Sequence, residues 1–450
     1  MTVNWIPNAL FYHIYPLGLC DAPKHNDFNT APTPRLDQLY TWIDHILSLN
    51  LNAVYLGPVF ESSAHGYDTA DYFCVDRRLG DNQTLKNLIH AMKNRGLRVI
   101  LDGVFNHVGR DFWAFRDVLQ HGRNSAYIGW FYNINFDKKS SYGDPFSYDG
   151  WAGHYDLVKL NLQNPAVKAH LLEAVSMWIR EFDIDGLRLD AADVLDHNFM
   201  RDLLHHTRQI KPDFWLMGEV VHGDYRGWAN NNMLHSTTNY ECYKGLYSSH
   251  VDKNYFEIAY AFNRQFGENG IYKNLWLYSF VDNHDVNRIA SQLTKPEHIY
   301  PVHILLFTMP GVPSLYYGSE WGIKGTRTAY SDHALRPALD LSLANTLPRR
   351  DLEKTISTLA KIHTQTPALC YGGYRQLHVN HEQFAFMRST SEQNVIVAVN
   401  SAPENHTIRL NHLPPHSRWI DILNHSEWIC HDGTLNISLH PHWGGILVGV

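Results

Sequence analysis

The chain is 450 residues long, 44% hydrophobic and 18% charged, and its 38 Lys+Arg against 45 Asp+Glu give a formal net charge of −7. That length exceeds one ordinary domain and suits a large core with smaller units beside it, while the mild acidity and the lack of basic runs exclude nucleic acid and anionic membranes as partners. The N-terminus lacks a basic and then apolar leader, the longest apolar tract (304–317) holds two prolines and is too short for a bilayer, and the five cysteines follow no metal or disulfide spacing, so a cytoplasmic protein is expected.

Eight short apolar, β-rich runs predict strands at 10–15, 53–56, 98–105, 186–190, 215–219, 237–240, 277–281 and 314–317. Between them, segments such as 36–49, 84–95 and 167–182 place apolar residues at helical spacing with polar ones opposite. Such an alternation predicts an α/β fold, a (β/α)8 TIM barrel with a parallel sheet. It lapses after the third run, where Gly, Ser, Asp, Asn and aromatic residues replace helical patterning, so a short inserted domain is expected there. Later the pattern turns to alternating runs at 383–387, 395–399, 406–410 and 445–448, the mark of an antiparallel β-domain. The expected layout is barrel at 1–107, insertion at 108–160, barrel again at 161–366 and C-terminal β-domain at 367–450. Aromatic residues make up 13% of the chain, a high share; most of them are expected in core and loop packing, and the rest suit the faces of sugars.

Four of the strand runs end in polar clusters: Asp102-Gly103-Val104-Phe105-Asn106-His107, Gly186-Leu187-Arg188-Leu189-Asp190, Gly218-Glu219-Val220 and Val281-Asp282-Asn283-His284-Asp285. Groups at the C-terminal ends of barrel strands share one mouth, so Asp190, Glu219 and Asp285 are expected to converge. Glycoside hydrolysis needs two carboxyl groups flanking the bond, one ionised and one protonated. Alone, each acid would more often be a solvated loop residue or an ion-pair partner. Together and in this order, the four clusters resemble the signature regions of the α-amylase family of glycoside hydrolases.

The resemblance implies roles. Asp190 stands where the family has its nucleophile, which forms a covalent glycosyl intermediate. Arg188, two residues earlier on the same strand face, stands for the arginine that holds it, and an adjacent guanidinium is expected to keep that carboxylate ionised. Glu219 matches the acid/base, and Asp285 the third carboxylate, which orients sugar hydroxyls and stabilises the transition state. His107 and His284 match two sugar-binding histidines, and Tyr67, in His65-Gly66-Tyr67-Asp68, matches the tyrosine that stacks under the same glucose. Asp102 is expected to support the site through hydrogen bonds. Asp332 and Arg336, after the eighth run, match substrate-contacting positions. Asn106 matches a calcium position of many α-amylases, with Asp137, Asp144 and Asp149 as further donors in the insertion, so calcium stands open as a cofactor while none is required.

Two further stretches narrow the group. Val158-Lys159-Leu160-Asn161 resembles a signature of neopullulanases and oligo-1,6-glucosidases, and Gly218-Glu219-Val220-Val221-His222 resembles the form found in neopullulanases, cyclomaltodextrinases and maltogenic amylases. Those enzymes commonly carry an N-terminal β-domain, whereas this sequence is expected to start at the barrel, which leaves its oligomeric state open, a homodimer included. Ala64 stands where exo-acting α-glucosidases of the family carry an aspartate, so removal of single glucose units is disfavoured. The resemblance implies a retaining hydrolase of small α-1,4-glucans, linear, cyclic or branched. A transglycosylase or isomerase of the family, and an inactive sugar-binding relative, are the alternatives.

Overall fold

The computed structural model of the chain describes residues 3–346, 349–414 and 418–450. Its central sheet holds eight parallel strands: β1 (Phe11–Ile14), β2 (Ala53–Leu56), β3 (Arg98–Gly103), β4 (Gly186–Leu189), β5 (Trp215–Gly218), β6 (Ser236–Thr237), β7 (Tyr278–Phe280) and β8 (Val312–Tyr316). They pair in the order β6-β5-β4-β3-β2-β1-β8-β7, and a parallel bridge from Thr238 to Tyr278 closes the ring. The expected TIM barrel is what forms.

Strands covered on both faces read as continuous apolar runs, which is why Phe11–Ile14, Ala53–Leu56 and Trp215–Gly218 are buried along their whole length. Phe11, Tyr55, Ile100, Trp215, Met217 and Tyr278 belong to one cluster that fills the barrel, with Phe11 stacked on Trp215 at 5.4 Å between ring centroids. The two-residue period of a strand then decides what lies above this floor. Moving toward the mouth, Ile100 is followed on the same face by Asp102, Gly186 by Arg188 and Asp190, and Met217 by Glu219. Register sets Asp102 beside Arg188 and Arg188 beside Met217, so the alternation that packs the floor raises a charged layer over it.

Helices of the outer ring begin with capping side chains. Asp81 and Thr84 cap Asn82–Asn94 reciprocally, Asn164 precedes a proline at the start of Pro165–Phe182, and Asp196 caps His197–Ile210. Their apolar faces lie on the barrel; truncating a fully buried residue there, such as Leu88, to alanine would cost about 2–5 kcal/mol. The apolar tract 304–317 divides into the end of helix Ile299–Thr308 and β8. Gly311 makes that break: its φ is 122°, and a Cβ there would lie 2.6 Å from the Leu277 carbonyl oxygen. Among the described residues no helix is long and apolar enough to cross a membrane.

The inserted stretch forms a small sheet in which His107–Gly109 pairs with His154–Lys159 and that strand with Gly150–Trp151. It also holds a helix, Trp113–His121, in a stretch expected to be aperiodic. This helix has no capping side chain, but Ala114, Phe115 and Val118 at helical spacing bury one face, with Phe115 against Phe131, Phe146 and Tyr148, a pattern too short to stand out among the surrounding turn residues. Near the C-terminus, a six-stranded antiparallel sheet and the pair His406–Leu410 with Leu435–Leu439 enclose Met387, Ile396, Ile408, Trp419 and Ile437.

Candidate active site

Arg188, 3% exposed, is the hub of the barrel mouth. Its Nη1 donates to Asp102 Oδ1 and Asp190 Oδ1, each at 2.9 Å, and its Nη2 pairs with Glu219 Oε2 at 2.7 Å. Asp102 Oδ2 also accepts the hydroxyls of Tyr55 at 2.6 Å and Tyr67 at 3.1 Å, so this carboxylate is consumed by internal hydrogen bonds. Glu219 is held a second time, accepting the Ala191 N–H at Oε2 and the Tyr240 hydroxyl at Oε1, both at 3.2 Å. Only glycine fits before it: a Cβ on Gly218 would lie 2.5 Å from Leu234 Cδ1 and 2.8 Å from Ala192 Cβ.

Across the mouth, the Tyr67 and His284 rings lie edge to edge, with centroids 5.5 Å apart and planes 8° from parallel, joined by a hydrogen bond between hydroxyl and Nε2. The same Nε2 is 2.9 Å from Asp285 Oδ2. Arg336 meets Asp285 Oδ1 at 3.1 Å and Asp332 Oδ2 at 2.6 Å through Nη2, and donates from Nε to the His284 carbonyl. His107 Nε2 is 3.8 Å from Asp190 Oδ2, too long for a hydrogen bond, and has no protein partner. The sequence-predicted residues Asp190, Glu219, Asp285, Tyr67, His107, Asp332 and Arg336 thus line one cavity of about 490 Å³, with Arg188, His284 and Asp102 directly behind it.

The electrostatics correct one expectation. Arg188 does not serve Asp190 alone, and burial, reinforced by Glu219, Asp102 and Asp285, pushes the Asp190 carboxyl well up despite the guanidinium. One positive charge faces three carboxylates, so the cluster favours retention of a proton. Asp285 behaves oppositely: burial works against its charge, but His284, then Arg336 and Arg188, hold it far below the usual carboxylate range. Burial, aided by His65, pushes the His107 imidazole down to about 3, which keeps it neutral.

Several wall residues were not singled out from the sequence. Trp151, His154 and Asp156 reach the cavity from the inserted hairpin, with the Trp151 ring 5.6 Å from His107. Tyr240 ends the sixth strand run and Tyr15, whose hydroxyl accepts from Arg336 at 3.3 Å, ends the first, so the strand-end rule that marked the acids could have found both. A second cavity of about 380 Å³ adjoins the first, and His65, Asp332 and Arg336 line both.

The donor set for calcium does not fit. Asp144 is taken by both Nη atoms of Arg110 at 2.9 Å, Asp137 pairs with Arg123, Asp149 accepts from Asn133, and the Asn106 amide turns to His107 Nδ1 at 3.1 Å. Among the described residues no group of three or more His, Cys, Asp or Glu side chains is arranged to hold a metal.

The sequence profile of the α-amylase catalytic domain matches residues 26–368. A cyclomaltodextrinase of a Bacillus species is 31% identical over 424 residues, which cover 90% of this chain and 75% of that protein. Among solved structures, the chain aligns with a cyclomaltodextrinase at TM-score 0.89 and 27% identity, over 100% of this chain and 79% of that one. It aligns with a cyclic α-maltosyl-(1→6)-maltose hydrolase of Arthrobacter globiformis at TM-score 0.83 and 26% identity, over 100% and 99%.

Proposed function

The chain belongs to the α-amylase family of glycoside hydrolases, and from that premise we propose that it cleaves small α-1,4-glucans, maltooligosaccharides and cyclic dextrins, with retention of configuration. The observation that carries this is the Arg188 fork, which holds Asp190 on one η nitrogen and Glu219 on the other inside a single cavity. A fork of that size favours the roughly 5 Å carboxylate spacing of retaining enzymes over the roughly 6.5–9.5 Å that admits a water.

On this reading a glucosyl unit rests against Tyr67, with the neutral His107 and the remaining lone pairs of the Asp285 carboxylate, held by His284 and Arg336, meeting its hydroxyls. The retained proton stands on Glu219 once the glycosidic oxygen arrives. Glu219 gives that proton to the leaving oxygen while an Asp190 oxygen attacks C1, which breaks the glycosidic bond and forms a glycosyl ester. Glu219, now ionised, takes a proton from water; the hydroxide attacks C1 and releases Asp190. Two inversions leave the starting configuration. Asp285, held ionised by its basic neighbours, faces the positive charge that develops on the ring.

Preference for short or cyclic substrates is supported by the names of the relatives above and by the adjoining second cavity, which lengthens the cleft by only a few sugars' room. A cytoplasmic setting is supported by the cysteines, all five of which are free. Incubation with cyclodextrins, maltotriose, maltohexaose, pullulan and soluble starch, with proton NMR of the first product, tests the proposal. An α-anomer released fastest from cyclodextrins or short chains is expected. A β-anomer first, or soluble starch as the fastest substrate, would overturn it.

A further inference from the structure

Behind the site, between the ends of β7 and β8, lies a buried arginine that the reaction above does not use. Arg288, three residues after Asp285, has no exposed surface. Its Nη1 donates to the Tyr317 carbonyl at 2.6 Å and to Ser319 Oγ at 3.3 Å, and its Nη2 to the Leu335 carbonyl at 2.9 Å. The guanidinium lies 4.0 Å from the Tyr316 ring centroid and 5.1 Å from that of Tyr317. Among the described residues no carboxylate pairs with it directly. The Ser319 hydroxyl donates instead to Asp282, at 2.8 Å and 2.9 Å from its two oxygens, so the counter-charge reaches Arg288 through a hydroxyl.

Placing a cation in a dry interior is costly, and a well-packed apolar residue of similar volume would avoid that cost. What the arginine supplies is geometry. Leu335, whose carbonyl it holds, precedes Arg336, and Arg336 returns to the starting loop by meeting Asp285 Oδ1 at 3.1 Å and the His284 carbonyl at 3.1 Å. Arg288 also ties the front of that segment, since its backbone N–H takes the Gly325 carbonyl at 3.0 Å. Between Gly325 and Arg336 the only regular structure is the short turn of helix His333–Leu335, and the hold on this end is shared with the two rings that flank the guanidinium: the Tyr316 hydroxyl donates to the same Leu335 carbonyl at 3.0 Å and the Tyr317 hydroxyl to the Pro337 carbonyl at 2.9 Å. The path Asp282, Ser319, Arg288, Leu335, Arg336, Asp285 is a closed ring that begins and ends within one tetrad of residues.

We propose that Arg288 is a positioning residue: with Ser319 and Asp282 it clamps the Leu335 carbonyl so that Arg336 holds Asp285 and His284 in the geometry that glycosyl transfer requires. The clamp rests on the reading of Asp285 as the carboxylate that stabilises the transition state. Arg288 itself touches no sugar.

Arg288→Met, Arg288→Lys and Ser319→Ala, compared with the wild type on β-cyclodextrin and maltotriose well below each melting temperature, test it. In Arg288→Met kcat should fall roughly a hundredfold, the cost of misplacing a reacting group by about 1 Å. KM should move by less than about threefold, because an interaction made chiefly in the transition state is lost. Arg288→Lys should be intermediate, since an ammonium can serve Tyr317 and Ser319 but has no planar fork to reach Leu335 as well. Ser319→Ala should lower kcat while leaving the cation in place. A merely structural arginine would lower the melting temperature and leave kcat of the folded protein unchanged, and that result overturns the clamp. Should Arg288→Met fail to fold, wild-type kcat in both Arg288→Lys and Ser319→Ala overturns it equally. A wild type inactive on every α-glucan would instead refute the catalytic reading on which the clamp stands.

Discussion

Ala191, directly after Asp190, sits in the left-handed region with φ 45° and ψ 43° and turns its backbone N–H onto Glu219 Oε2 at 3.2 Å. A non-glycine residue there costs about 1–2 kcal/mol, so the strain is kept where it aims an amide at one candidate catalytic acid from beside the other. Ala191→Gly should keep activity near the wild type's and gain a little stability. Ala191→Val, a branched side chain at positive φ, should displace the amide and lower kcat by about tenfold or more, the effect of roughly 1.4 kcal/mol at the transition state. Equal activity in the two variants would show that the turn does not matter to the chemistry.

Asp190→Asn should abolish turnover and yet melt higher than the wild type at pH 7. The folded-state pKa of Asp190 is raised, so its contribution to stability is fully present below the unfolded value of about 3.9 and is lost as pH rises through the folded value. At pH 7 the wild type must either hold a proton that the unfolded chain has lost or ionise in a buried site that already holds three other carboxylates, and asparagine does neither. The gain in melting temperature, on the order of 2 °C for each kcal/mol, should shrink as the pH is lowered toward about 4. Scanning calorimetry of both proteins across that range checks it, and a variant that melts lower at pH 7 would contradict the raised pKa.

The barrel was legible because most of its strands are short apolar runs, and the convergence of Asp190, Glu219 and Asp285 followed from the polar clusters that end four of them. β6 was the weakest signal, for Ser236–Thr237 is neither long nor apolar and is held by its neighbours and by the Thr238 to Tyr278 bridge. Sharing of Arg188 with Asp102 was hidden for a different reason: the two lie 86 residues apart and meet through strand register, which no local pattern carries. Trp151 and His154 were hidden because a hairpin in an aperiodic insertion gives no phase from which to tell which side chains face the cleft.

Glu219→Gln, with its amide oxygen toward the Ala191 N–H, should keep that hydrogen bond and donate to the Tyr240 hydroxyl instead of accepting from it, but cannot move a proton. Loss of a positioned acid and base costs about 10²–10⁴ in rate. An α-maltosyl donor with a nitrophenol leaving group needs little protonation, so its first step should recover and the glycosyl-enzyme should accumulate, visible as a burst of nitrophenol. Azide, which needs no base to attack, should then restore turnover and give a glycosyl azide of the starting configuration. If neither the burst nor the azide product appears, Glu219 is not the acid.

Unfolding should take up protons in mild acid. Burial holds His107, His235 and His250 at about 3 and His363 at about 4, against an ordinary value of 6.5. His235 is also committed as a neutral ring, because its Nδ1 accepts the Leu216 N–H; Nδ1 of His250 and Nδ1 of His363 donate to carbonyls, so burial is the main cause that depresses those two. For a base whose folded pKa is depressed, the unfolded chain binds more protons below about 6.5, so stability is full above that pH and falls as pH drops toward the folded value. At pH 5 these four histidines gain about four protons on unfolding, and Asp190, a single group whose folded pKa is raised, returns no more than one. The net uptake should be about three or more, so each pH unit lost near pH 5 should cost on the order of 4 kcal/mol. Unfolding enthalpies measured at pH 5 in two buffers of different ionisation heat give the proton count directly; an uptake below about one would mean that these imidazoles are charged in the folded protein.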